Sequence, residues 1–293
     1  MLVLLGSAGK NFDTHAPSIG TEVEVTASRC SFFALEFASI IGFAAVTADF
    51  YVYYPTTSSK PITFFMTWSS TWLALIFCNI LGIGVATSVA LIPAWADAYA
   101  ISSGALLLEA YNGLGGFGGF CVVILALGQV TNNAPCSYAA ANTIQVLGRY
   151  AKAIPRWFWC LAIMVVELAL SVAGRNHLFR IFENFLPIMA YWVCPWLTIV
   201  VEEHLLFHKL RGVPFDWTAW EDKRRLPIGA AALFAWLCGW VGAIIGMSQV
   251  WYTGPVALEV GGHGGDIGPW LAIGFAGSIF PPLRVLELSK VGR

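Results

Sequence analysis

Residues 119–148 read GFCVVILALGQVTNNAPCSYAAANTIQVLG, a stretch without a single Asp, Glu, Lys or Arg. A helix that crosses a bilayer needs about 20 mostly apolar residues, so this stretch predicts a transmembrane helix. Its length and its lack of strict alternation argue against a transmembrane β-strand, which is about 9–11 residues long and alternates apolar with polar side chains. We therefore predict an all-α integral membrane protein.

The composition of the whole chain supports this fold class. Hydrophobic residues make up 58% of the 293 residues and charged residues 11%, whereas a typical soluble domain has about 25% charged residues. The 16 basic and 17 acidic residues give a net charge of -1, so we expect no nucleic acid as a partner. None of the seven cysteines belongs to a CxxC pair, and we expect no metal site, no organic cofactor and no enzymatic activity.

Seven stretches, including the one above, are long and apolar enough to cross the lipid bilayer. We place them at residues 31–54, 61–92, 113–145, 157–174, 185–201, 227–248 and 267–283. Residues 31–293 would then form a seven-span domain. Residues 1–30 would be the tail of a missing upstream span and an extracellular loop. Gly239, Gly242 and Gly246 in the sixth span predict close contact between helices.

Lysine and arginine residues are distributed unevenly between the two sides. The loops after spans one, three, five and seven hold 12 of them, and the opposite side holds 4. The positive-inside rule therefore places the C-terminus in the cytosol and the residues before Ser31 outside, in what we expect to be the plasma membrane. An external N-terminus requires a signal peptide or an earlier span, and Met1–Leu5 is too short for a signal peptide. We therefore expect the C-terminal part of a longer protein or a truncated gene model.

Polar residues lie in the middle of the third span, around Pro135. Proline cannot donate a backbone hydrogen bond, so we expect the helix to kink or open there. The side chains of Gln129, Asn132 and Asn133 would then lie close together. A carboxamide offers a donor and an acceptor that match the edge of a neutral heterocycle, which predicts a binding site. Hydrogen bonding between neighbouring helices is the alternative interpretation.

The first span contains a second candidate break. Gly42 lies near its centre and permits unwinding, and Phe43 beside it offers a ring that can stack on a planar ligand. Discontinuous helices at the middle of the membrane indicate the binding site of a transporter. A ring that faces lipid or packs in the core is the alternative for Phe43.

Three carboxylates inside the predicted spans are candidates for proton coupling, since a charged side chain is costly in the membrane. They are Glu36, Asp49 and Glu167. The first two lie near span ends and can also reach water, and the third can also pair with a polar group on another helix.

Four ionisable residues directly after the fifth span invite a metal-binding interpretation. They are Glu202, Glu203, His204 and His208. Because they continue into a charged loop, we interpret them instead as a solvated helix end. On the opposite side, residues 93–111 predict a short surface helix that would act as an outer gate.

Strings along nearly the whole chain resemble, in order, the fungal purine-cytosine permeases of the nucleobase-cation symporter family. They include ADFYVYYP at 48–55, NNAP at 132–135, IPRWFW at 154–159, GGDIG at 264–268 and FPPLR at 280–284. The resemblance implies a transporter with twelve spans, ten of which form two inverted five-helix repeats. It also implies uptake of purine bases or cytosine with the proton as coupling ion. This chain would supply the second inverted repeat plus two C-terminal helices.

The resemblance also implies site residues. Family members place an Asn at Asn132, a proline at Pro135 and a second substrate-binding Asn directly after it, where this chain has Cys136. Many relatives have a Trp at or beside Phe43. The missing N-terminal repeat would hold further substrate contacts, so we expect that this chain does not transport alone. A non-transporting relic of a permease and a seven-helix receptor stay open as alternatives.

Overall fold

The computed structural model of this protein describes residues 1–174, 178–219, 222, 224–261 and 264–292. These residues form helices joined by short loops, with one antiparallel pair of two-residue strands. The expected all-α membrane architecture is consistent with this structure, and the inverted-repeat arrangement stays a prediction. The chain divides into two compact units, Met1–Pro17 with Asp49–Asn176 and Ser18–Ala48 with His177–Arg293, which are described separately.

In chain order, the helices are α1 (Leu2–Ala8), α2 (Glu22–Ile41), α3 (Thr47–Tyr51), α4 (Lys60–Val89), α5 (Pro93–Ile101), α6 (Ser103–Ala110), α7 (Gly116–Val146), α8 (Arg149–Ala153), α9 (Arg156–Gly174), α10 (Leu178–Glu202), α11 (Ala230–Gly246), α12 (Pro255–Glu259) and α13 (Gly268–Val291). The strands are β1 (Ser248–Gln249) and β2 (Tyr252–Thr253). A 3₁₀ turn at Gly42–Ala45 follows α2, and a π-helix at Glu203–Lys209 follows α10.

Six helices in the described part of the chain are long and apolar enough to cross a membrane. They are Glu22–Ala45, Lys60–Val89, Gly116–Val146, Arg156–Gly174, Asn184–Lys209 and Gly268–Val291. The sixth predicted span corresponds to α11, which has 17 residues. That length extends about 26 Å, slightly less than the hydrocarbon core of about 30 Å. The number of seven spans therefore stays a prediction.

The first spanning helix begins nine residues earlier than predicted. Thr21 precedes α2, and its side chain accepts a hydrogen bond from the Glu24 backbone N–H. The Glu24 carboxylate in turn accepts from the Thr21 backbone N–H at 2.7 Å, which completes a capping box. Hydropathy alone missed this start because the first turns of α2 contain charged residues.

The first unit has a core around α1, α4, α5 and α6. Leu4 and Ala8 of α1 are buried beside Val85 of α4. The Ser88 hydroxyl donates to the Asn11 carbonyl at 2.8 Å, which attaches the residues after α1 to the end of α4. Residues 93–111, predicted as one short helix, form the two helices α5 and α6.

The second unit is built on α10, α11 and α13, with α2 packed against α10. A Cβ atom at Gly242 would lie 2.6 Å from the Leu271 carbonyl oxygen, and one at Gly239 would lie 2.5 Å from Pro195 Cβ. These distances are shorter than van der Waals contact, so only glycine fits. The predicted close helix contact at these glycines is confirmed.

Candidate functional site

The helix that carries the amide residues stays helical at the proline. α7 is α-helical from Gly116 to Val146 with Pro135 inside it, so the expected opening at Pro135 is not found. Pro135 removes one backbone donor, the one that would serve the Thr131 carbonyl four residues earlier, and α7 continues through it to Val146. Membrane helices tolerate a proline when the rest of the backbone stays hydrogen-bonded. The prediction that the side chains of Gln129, Asn132 and Asn133 lie together in an opened helix is therefore wrong.

One face of α7 is hydrogen-bonded to α9. Asn133 Nδ2 donates to Glu167 Oε2 at 2.8 Å, and Ser137 Oγ lies 3.1 Å from Glu167 Oε1. The spacing of four residues between Asn133 and Ser137 places both side chains on this face. Of the two interpretations of Glu167, the geometry matches pairing with polar groups on another helix.

The neighbouring face of α7 carries the other predicted ligands. Gln129, Asn132 and Cys136 are spaced by three and four residues, so they lie on one side of the helix. Gln129 and Asn132 are exposed, and within the described part of the chain no hydrogen bond engages either carboxamide. The Cys136 thiol donates to the Asn132 backbone carbonyl at 3.7 Å, which leaves the Asn132 carboxamide accessible. This side of α7 is called the amide face below.

The predicted break in the first span takes the form of a change in helix type. α2 ends at Ile41, and the 3₁₀ turn at Gly42–Ala45 leads towards α3. Gly42 has a φ angle of -57°, an ordinary right-handed conformation that does not require glycine. Phe43 lies in this turn with 47% of its surface exposed, so its ring is accessible.

The predicted site residues are divided between the two compact units. The first contains Gln129, Asn132, Asn133, Cys136, Pro135, Glu167 and Asp49, and the second contains Glu36, Gly42 and Phe43. Within the first unit, the structure brings Asn133 and Glu167 into hydrogen-bond contact. A shared ligand between Asn132 and Phe43 stays a prediction, as do the proton-coupling roles of Glu36 and Asp49.

A buried ion-pair cluster in the second unit was missed in the sequence. Arg284 of α13 is 7% exposed, and its Nε and NH2 groups donate to Glu203 Oε2 at 3.0 Å and Oε1 at 2.9 Å. Arg284 NH1 also lies 3.5 Å from Glu287 Oε2, and Glu287 Oε1 accepts from the Gly229 backbone N–H. The interpretation of Glu203 as part of a solvated helix end is therefore wrong. The available signal was the position of Arg284 directly after a long uncharged run in α13, since a charge there needs a partner.

Asp266 is the centre of a second buried polar cluster that was not predicted from the sequence. Its Oδ2 accepts from the Tyr191 hydroxyl at 2.6 Å and from Gln249 Nε2 at 3.0 Å, and its Oδ1 accepts from the Gly268 backbone N–H at 2.9 Å. The Asp266 backbone N–H donates to Ser31 Oγ of α2 at 3.0 Å. Burial raises the pKa of Asp266, and the hydrogen bonds from Tyr191, Gly268 and Gln249 act in the opposite direction. These contacts join α2, α10, β1 and the start of α13.

Several proteins of similar sequence are fungal permeases and transporters. The sequence is 36% identical over 295 residues to the purine-cytosine permease fcyB of Emericella nidulans, an alignment that covers 100% of this chain and 57% of that protein. It is 32% identical over 309 residues to the vitamin B6 transporter TPN1 of Saccharomyces cerevisiae, with 90% and 53% covered. It is 33% identical over 266 residues to the yeast purine-cytosine permease FCY22, with 90% and 50% covered. This chain is a homologue of the fungal purine-cytosine permeases. The resemblance found in the sequence is thereby confirmed.

This purine-cytosine permease homologue spans about half the length of the curated relatives it matches. The relatives are permeases and transporters rather than enzymes. Together with the six apolar helices, they support an integral, multi-pass membrane protein. No protein-family profile matches the chain, and no solved structure matches it.

Proposed function

We propose that this protein acts in secondary active transport of a small neutral heterocycle. The candidate substrates are purine bases, cytosine and vitamin B6, because the relatives are named for these compounds. The proton is the proposed coupling ion, and uptake runs from the outside to the cytosol across the plasma membrane. No organic cofactor takes part.

The observation that carries this proposal is the free amide face of α7. Asn132 offers donor and acceptor groups in a membrane helix, and Gln129 adds the same groups one turn earlier. A polar side chain at membrane depth without a protein partner is costly unless it faces a cavity or a ligand. Asn133, the next residue along the chain, is instead engaged by Glu167. We therefore assign substrate recognition to Asn132 and Gln129.

Two further residues complete the proposed recognition. Phe43, exposed in its 3₁₀ turn, stays the predicted aromatic contact, because an accessible ring can stack on a planar compound. Cys136 replaces a carboxamide with a thiol, which is a weak donor and a weak acceptor. The edge of the substrate next to Cys136 is therefore recognised through steric fit more than through hydrogen bonds.

Uptake by cells tests this proposal. Full-length protein is produced in yeast cells that lack their own nucleobase and vitamin B6 carriers, and accumulation of labelled cytosine, adenine and vitamin B6 is measured separately. We expect one of these compounds to accumulate and the other classes to compete weakly or not at all. A proton ionophore should abolish the accumulation.

A matched control separates a carrier from a non-transporting relic. Surface labelling must first show that the protein reaches the plasma membrane. Protein that is present there and accumulates none of the three compounds contradicts the proposal, even where it binds one of them. Uptake that the ionophore leaves unchanged contradicts proton coupling but not transport.

A further inference from the structure

Glu202 occupies an unusual position among the acidic residues of the second unit. It is the last residue of α10, where the α-helix changes into the π-helix at Glu203–Lys209. Both segments belong to one candidate span, Asn184–Lys209. π-helical turns are rare and frequently lie at functional sites. The carboxyl group of Glu202 therefore lies in a candidate membrane span, at a local change of backbone geometry.

The Glu202 carboxyl is packed against α13 and is not satisfied by hydrogen bonds. Its Oε2 atom is buried and finds no hydrogen-bond partner among the described residues. A Cβ atom at Gly277 would lie 2.9 Å from Glu202 Oε1, so the carboxyl occupies space that this glycine leaves open. The nearby Thr198 hydroxyl donates to the Cys194 carbonyl at 2.9 Å and does not serve the acid.

The adjacent charged groups are already engaged or exposed. Arg284 of α13 donates to Glu203 and approaches Glu287, so its charge is used by these two carboxylates. His208 Nε2 lies 3.7 Å from Glu203 Oε1. The remaining ionisable groups of these two segments are exposed, and they are His204, Lys209 and Lys290. Glu203 thus has a cationic partner, and the described structure gives Glu202 none.

This contrast determines the charge state that the site favours. The buried Oε2 atom of Glu202 has neither a cation nor a hydrogen-bond donor among the described residues, and such surroundings disfavour the charged form of a carboxyl group. A neutral acid in a membrane helix can still lose its proton when water reaches it. Such groups form proton relays in membrane transporters.

The helix that carries Glu202 also supports the segment of Phe43. Ala38 and Ile41 at the end of α2 share one buried core with Ala190 and Cys194 of α10. Cys194 and Glu202 are eight residues apart, which corresponds to about 12 Å along the helix axis. α10 contains two internal prolines, which weaken its backbone hydrogen bonding. A change of charge at Glu202 therefore acts on a pliable helix in contact with the proposed ligand-binding turn.

We propose that Glu202 is the residue that takes up and releases the coupling proton, an inference that rests on the proposed function above. The step is proton transfer alone. A carboxylate oxygen of Glu202 accepts a proton from water during loading, and the O–H bond breaks when the proton passes to cytosolic water during release. Neither an oxidant nor a metal ion is required.

The test compares two transport modes of the full-length protein in proteoliposomes. Concentrative uptake is driven by an imposed pH gradient, and substrate exchange is measured with equal pH on both sides. Glu202→Gln keeps the size of the side chain but cannot ionise. We expect it to lose concentrative uptake and to retain exchange. Glu259→Gln, which changes an exposed acid of α12, should behave like the unmodified protein in both modes.

The outcomes are distinguishable. If the unmodified protein shows no uptake driven by the pH gradient, the proposed coupling fails. If the unmodified protein responds and Glu202→Gln still concentrates substrate, the role of Glu202 is wrong. Should Glu202→Gln lose both modes, Glu202→Asp decides. A shifted pH dependence of its uptake supports the proposal, and an unchanged pH dependence overturns it.

Discussion

At the scale of single residues, the neighbours Asn132 and Asn133 have different surroundings. Asn133 is held by Glu167, whereas the Asn132 carboxamide lies on the amide face. We expect Asn132→Ala to weaken substrate affinity by about 1 kcal/mol, or roughly fivefold in Kd, through loss of one hydrogen bond. Competition binding measures this change, with Asn133→Ala as control for a general loss of folding. Equal affinity in Asn132→Ala would remove this residue from the site.

The Glu167 pair makes a separate prediction about stability. Polar contacts between membrane helices contribute about 0.6 kcal/mol on average. We therefore expect a double-mutant cycle of Glu167→Ala and Asn133→Ala to give a coupling free energy of about this size. Thermal unfolding of the purified full-length protein in detergent measures it. Additive effects of the two substitutions would show that their contact at 2.8 Å adds no stability.

Arg284 provides the largest expected effect of one substitution on stability. Arg284→Met removes the cation between Glu203 and Glu287 and leaves two carboxylates without their partner. Breaking a buried pair in this way typically costs about 3–5 kcal/mol. We expect a lower melting temperature and less protein at the cell surface. Adding Glu203→Gln and Glu287→Gln to the same variant should restore part of the loss, and no restoration would argue against the ion pairs as its cause.

At the scale of elements, the helices were predicted better than their ends and interruptions. The apolar run predicted at residues 61–92 corresponds to α4 at Lys60–Val89, because long uncharged runs leave few alternatives in a membrane. The start of α2 was missed since a capping box, not hydropathy, determines it. The expected opening at Pro135 was wrong. Proline removes only one backbone N–H donor, and the helical hydrogen bonds before and after it keep α7 helical.

The contact between α11 and α13 makes a prediction about packing. A methyl group at Gly242 would lie 2.6 Å from a backbone oxygen of α13, which cannot move as a flexible side chain can. We expect Gly242→Ala to destabilise the protein by about 1–3 kcal/mol through overpacking. The matched control is Gly274→Ala in α13, where the added methyl group has no described atom within 4 Å apart from its chain neighbours and the adjacent backbone of its own helix. Equal melting temperatures of the two variants would contradict this packing.

At the scale of the whole molecule, short sequence motifs were sufficient to indicate the relatives. The side-chain pairs that join distant helices could not be predicted from the sequence. Glu203 and Arg284 are separated by 81 positions, and Tyr191 and Asp266 by 75. No local pattern indicates which of several charged residues will meet across such intervals. The division of the predicted site residues between two units could not be predicted from the sequence either, since it depends on the path of the whole chain.

The orientation of the molecule in the membrane rests on the distribution of positive charge. In the predicted seven-span arrangement, 12 lysine and arginine residues lie on one side and 4 on the other, so we expect the C-terminus to face the cytosol. An epitope after the last residue of the full-length protein should bind antibody only in permeabilised cells, whereas an epitope inserted at Gly104, between the predicted second and third spans, should bind it in intact cells. Both tagged proteins must retain uptake, so that each epitope reports the functional orientation. Antibody binding to the C-terminal epitope in intact cells would reverse the orientation, and with it the side to which we expect Glu202 to release its proton.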